Sequence, residues 1–114
     1  MPKSLEIHDI IRILPFAEVF RTKLLELYPN KLDEDRRLAL ERYLWKAFYL
    51  YFDALYEENL QLMINDTKNN LPPDYHDQLL AKTHEQINQG VVTTKADAQI
   101  HVLRGELQKL ITPS

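Results

Sequence analysis

The chain has 114 residues, 14 of them Lys or Arg and 17 Asp or Glu, for a formal net charge of −3. That length suits one domain, 1–114, able to bury a core without a metal or disulfide staple. An apolar share of 45% with 27% charged side chains excludes a disordered chain. Two glycines and no cysteine exclude glycine-rich phosphate loops, cysteine nucleophiles, zinc–thiolate and iron–sulfur sites and disulfide scaffolds.

No apolar stretch of signal-peptide type follows Met1-Pro2-Lys3-Ser4, and no apolar run reaches the roughly 18 residues of a membrane span. Together these predict a cytoplasmic chain with no membrane contact. Residues 1–56 sum to zero charge and residues 57–114 to −3. That balance lacks the basic footprint of non-specific nucleic-acid binding.

Pro15, Pro29-Asn30, the stretch Asn65 to Pro73, Gly90 and Pro113 punctuate segments of helical rather than alternating periodicity. The first runs from Ser4, a candidate cap, to Leu14, with Ile7, Ile10, Ile11 and Leu14 at helical spacing. The Leu5–Ile7 alternation leaves a short strand open there. Pro15 then ends or kinks the element and suits the first position of a second helix. That helix carries Phe16, Val19, Phe20, Leu24, Leu27 and Tyr28 as one apolar stripe.

The third segment is the centre of the protein. Asp33 is a candidate N-cap, and Glu34 and Asp35 favour the positive end of the helix. The helical pattern runs on to about Ile64 with no proline or glycine, on the order of 46 Å at 1.5 Å per residue. A compact chain of this size has a radius of gyration of about 13 Å. The helix overshoots such a domain and must bend, break or project into a partner. Glu57-Glu58-Asn59 interrupts the apolar pattern and marks the place for a break.

The fourth segment opens at Pro72-Pro73-Asp74 and closes at Gly90, a favourable C′ residue, with modest apolar content that predicts a surface helix. In the fifth, Thr94 and Asp97 form a capping-box pattern. Ala96, Ile100, Leu103, Leu107 and Leu110 then repeat as an a/d seam two heptads long. The fold class is therefore all-α: a small bundle of four main helices plus a short N-terminal one, built around the long aromatic-rich helix. Expected core residues are Phe16, Phe20, Leu24, Leu44, Phe48, Leu55, Ile100, Leu103 and Leu107.

Seven of the eleven aromatic residues, Tyr43, Trp45, Phe48, Tyr49, Tyr51, Phe52 and Tyr56, fall in one stretch of the third segment. On a helical wheel its only charges, Lys46 and Asp53, lie within about 20° of each other, and Arg42 and Glu57 extend that stripe. The stripe is expected to face solvent or a partner. A helix apolar on its remaining sides has to be surrounded. Tyr and Trp, each joining an apolar body to a polar tip, suit an interface as well as a core.

No catalytic constellation is visible. The two serines, Ser4 and Ser114, are terminal, and no Glu-x-x-His or His-Glu-x-x-His pattern occurs among His8, His76, His84 and His101. Asp97–His101 and Asp77–His84 have helical spacing, but ordinary surface pairs explain them. No catalytic residue, metal site or cofactor is expected. The sequence predicts a non-enzymatic protein–protein interaction module (adaptor, inhibitor or assembly factor) that self-associates as a homodimer. The interface candidates are Tyr43, Trp45, Tyr49, Tyr51, Phe52, Tyr56, Ile100, Leu103, Leu107 and Leu110. Two alternatives are a small-molecule-binding bundle with a tyrosine-lined pocket and a helix-turn-helix nucleic-acid regulator in which Arg36-Arg37 open the second helix.

Overall fold

The computed structural model describes residues 5–112, and every element among them is an α-helix: α1 (Ile7–Ile13), α2 (Glu18–Leu27), α3 (Glu34–Thr67), α4 (Tyr75–Asn88) and α5 (Thr94–Ile111). This is the small all-α bundle that the periodicity predicts, with its aromatic cluster within the long central helix. No helix among the described residues is long and apolar enough to cross a membrane.

The central helix is unbroken for 34 residues. Asp33 caps it, its carboxylate accepting from the Arg36 backbone N–H at 2.8 Å. The break that Glu57-Glu58-Asn59 suggested does not occur. Asn59 is buried and donates to Thr83 Oγ1 at 3.1 Å and Gln86 Oε1 at 2.9 Å, so this polar position faces a second helix. The excess length is absorbed by the shape of the whole molecule. At 1.5 Å per residue α3 spans about 51 Å, and the molecule is drawn out to 54 × 33 × 22 Å with a radius of gyration of 16.2 Å.

Two helices return along α3 in succession. α4 lies on its C-terminal part, where Asn59 meets Thr83 and Gln86. α5 takes over at Glu57, whose carboxylate receives Lys95 Nζ at 2.7 Å, and runs back toward α2, where Arg104 and Gln108 border Ala17 and Phe20. The turn between the two return helices is a Schellman motif. Gly90 (φ +71°) supplies the left-handed residue. Gly90 N–H bonds the Ile87 carbonyl at 3.1 Å and Val91 N–H the Gln86 carbonyl at 3.0 Å. The Tyr51 hydroxyl of α3 donates to the Val91 carbonyl and ties the turn to the central helix.

Local details differ from the sequence reading in four places. Ile7 is already helical, so no strand forms at Leu5–Ile7; Glu6 is the cap, its N–H bonded to the Asp9 carboxylate at 3.0 Å. The predicted cap Ser4 lies outside the described residues. Pro15 does not open α2: Pro15, Phe16 and Ala17 form an extended link, and the helix starts at Glu18. The rotation this sets leaves Val19 84% exposed, while Phe16 is buried from the link and meets Phe20 edge to face at 5.1 Å. The α5 cap is Thr93, accepting from Ala96 N–H at 3.1 Å, one residue earlier than expected.

Arg21 joins the first two helices. Its guanidinium donates to the Leu14 carbonyl at 3.0 Å and the Ile11 carbonyl at 3.3 Å, and pairs with Glu18 at 2.7 Å. Carbonyls at a helix end have no partner within the helix, and a cation there also complements the helix dipole. The core is closed by Leu40, Leu44, Ala47, Tyr51, Ala54 and Leu55 of α3 against Ile10 and Ile11 of α1 and the α5 seam. Of the expected core residues, Phe20 and Phe48 are half-buried and the rest are buried.

At the start of α3, the Tyr28 hydroxyl donates to Glu41 Oε2 at 2.6 Å, and Arg37 pairs with the same carboxylate at 3.1 Å. Burial pushes the Tyr28 phenol up to about 12, helped by the hydrogen bond to Glu41 and its charge and opposed by Arg37.

Three expectations follow from this packing. Leu107→Ala empties a fully buried position and should lower unfolding free energy by about 2–5 kcal/mol in urea denaturation. Asn59→Ala leaves Thr83 and Gln86 without their donor and should cost about 1–3 kcal/mol, with hydrogen exchange rising first in α4. For Tyr28, the unfolded phenol releases its proton near pH 10 and the folded one near 12. Its contribution is thus complete below pH 10 and lost as the pH rises to about 12; solvent screening of the partly exposed ring holds it to about 1 kcal/mol. Tyr28→Phe should flatten this part of the alkaline decline in urea midpoints. A smaller decline should persist, because burial also raises the Tyr51 phenol.

Candidate functional site

The aromatic stretch of α3 divides into three faces. Its core face holds Tyr51, fully buried. A second face carries a row of half-buried rings in mutual contact: Trp45 and Phe48 edge to face at 6.3 Å, Phe48 and Phe52 at 6.4 Å, and Phe52 stacked on Tyr56 at 6.4 Å. At its C-terminal end this row is bordered by α4. His84 meets Phe52 edge to face at 5.5 Å, and His76 Nδ1 is hydrogen-bonded to the Tyr56 hydroxyl.

The third face is open. It consists of Arg42, Lys46, Tyr49, Asp53 and Glu57, all exposed. This is the expected polar stripe with Tyr49 set into its middle. Tyr49 is 59% exposed and touches Trp45 at 6.0 Å and Phe48 at 6.1 Å between ring centres. Trp45, Phe52 and Tyr56 form one half-buried border of the stripe, and Tyr43 and Leu50 the other.

The interface candidates therefore fall into two groups. Tyr51, Ile100, Leu103 and Leu107 are buried among this chain's own helices, and Leu110 is half-buried beside them. The terminal seam thus packs against α3 within the chain. Tyr49 and the outer edges of Tyr43, Trp45, Phe52 and Tyr56 reach the surface. Leu38, 48% exposed, extends the same side of the helix and was not singled out from the sequence. The signal in the sequence is its spacing: Leu38 stands about two helical turns before Trp45, on the side shared by Trp45, Tyr49, Phe52 and Tyr56.

The other sequence features have structural partners. Asp97 pairs with Arg104 at 2.6 Å rather than with His101. Arg36 pairs with Asp33 and Arg37 with Glu41, so neither is a free phosphate contact. The concavity between α3 and α4 is lined by residues such as Asn59, Leu62, Met63, Gln78 and Lys82, and not by the tyrosines. Among the described residues no group of three His, Cys, Asp or Glu side chains is placed to hold a metal ion.

What the open face can do chemically is bury apolar ring surface while pairing charges at its two ends. The chain matches no family model, and comparison with curated proteins and with solved structures finds no match.

Proposed function

We propose that this chain is a non-enzymatic protein–protein interaction module, of the adaptor, inhibitor or assembly-factor kind, that self-associates through the open face of α3. One observation carries the reading: Tyr49 stands 59% exposed against Trp45 and Phe48 of a contiguous ring row, although the core closes without it. A large ring held by its neighbours loses little side-chain freedom on binding, and tyrosine suits surfaces that alternate between water and a partner.

The charged ends of the stripe agree with an interface of this kind, with an aromatic centre and a polar rim. Sedimentation equilibrium over a wide concentration range tests the reading. The wild-type chain should form a concentration-dependent dimer. Tyr49→Arg should weaken it at least about tenfold while leaving the melting temperature nearly unchanged, because Tyr49 contributes little to the core. A wild-type chain that stays monomeric at every concentration would sink the self-association reading.

A further inference from the structure

The charges on the open face have a definite order. Two bases, Arg42 and Lys46, precede Tyr49, and two acids, Asp53 and Glu57, follow it. The midpoint of positions 42 and 57 falls between residues 49 and 50, and so does the midpoint of 46 and 53. The stripe is thus antisymmetric in charge about one point, and the most exposed ring of the cluster stands beside that point.

This pattern selects one occupant and one orientation. When two identical helices pack antiparallel about a two-fold axis normal to their common plane, each flank meets the same flank of its mate with the chain direction reversed. The pairing rule becomes residue i with residue 99 − i when the axis passes between residues 49 and 50. Arg42 then faces Glu57 of the second copy, and Lys46 faces Asp53. Four opposite-charge pairs form, and the two Tyr49 rings meet beside the axis. In a parallel pair the same stripes would place like charges at equal heights.

We infer that the partner of this face is a second copy of the chain, bound antiparallel with its two-fold axis between residues 49 and 50. The inference rests on the self-association reading above and adds its register. Among the described residues Arg42, Lys46 and Asp53 form no salt bridge within the chain. Glu57 holds Lys95 at 2.7 Å, but both side chains are exposed, and such a pair gives way at little cost. The rule would also bring Glu41 toward Glu58, a like-charge conflict, yet neither is on the stripe. Glu41 is held by Tyr28 and Arg37, and Glu58 projects from the side of α3 opposite Tyr49, nine residues on.

Sedimentation equilibrium on charge variants tests the register. Arg42→Glu with Lys46→Glu makes the stripe wholly acidic and should weaken the dimer roughly 30-fold or more. Asp53→Lys with Glu57→Lys makes it wholly basic, with the same expected loss. An equimolar mixture of the two should recover a heterodimer, and the chain carrying all four substitutions should recover a homodimer. Unchanged circular dichroism and melting curves confirm folding, since all four positions are exposed.

Because the natural chain has no cysteine, single introduced thiols report direction. A mixture of Lys46→Cys and Asp53→Cys chains, which keeps Tyr49 and three of the four charge pairs, should cross-link readily under mild oxidation. Leu38→Cys should not, since its mate lies about 35 Å away along an antiparallel pair. A wild-type dimer that is indifferent to the charge variants, or that cross-links equally well through position 38, overturns the register and leaves self-association standing. A wild-type monomer at all concentrations overturns both.

Discussion

The structure depends on covering the apolar face of a helix too long for any single partner in the chain. α3 extends about 51 Å; α4, with 14 residues, spans about 21 Å and α5, with 18, about 27 Å. Laid end to end, the two return helices nearly equal the central one. The chain turns back after α3 and spends two helices on the return, while α1 adds cover near the start. The elongated outline follows from this arithmetic. A rounder molecule would need α3 to break, and no proline or glycine in it favours one.

Apolar burial supplies most of the driving force, but it is not directional and does not by itself say where α4 should stop. Polar contacts perform that task. Asn59 fixes α4 through Thr83 and Gln86, and Tyr51 reaches the Val91 carbonyl as the chain leaves the Schellman turn. The first turn of α5 lies beside Glu57, where the exposed Lys95 bridge adds little of its own. The three contacts are spaced along fewer than three turns of α3, at the place where one return helix hands over to the next. Misplacing the handover would strand buried polar groups, which is far more costly than losing an apolar contact of similar size.

The same arrangement decides which part of α3 stays outside. α1 and α5 take the core face, and α4 borders the ring row at its C-terminal end through His76 and His84. What remains is a narrow strip on which Tyr49 is supported by its neighbours but uncovered. By our proposal its flanking charges choose among partners. In this scheme electrostatics contributes orientation, and the rings contribute the buried area.

Much of this was legible in the sequence, because helical periodicity, caps and proline positions are local. The existence of five helices, the Asp33 cap, the role of Gly90, the α5 seam and the exposure of Arg42, Lys46, Asp53 and Glu57 all follow from spacing. Tertiary packing decided the rest. Asn59 reads as an interruption until Thr83 and Gln86, 24 and 27 residues away, give its side chain a buried partner. Tyr51 and Tyr49 are the same residue type two positions apart. Only the placement of α5 and the Val91 carbonyl sends one into the core and leaves the other in water. A sequence pattern ranks the faces of a helix by polarity, but it does not count how many neighbouring helices will arrive to cover them.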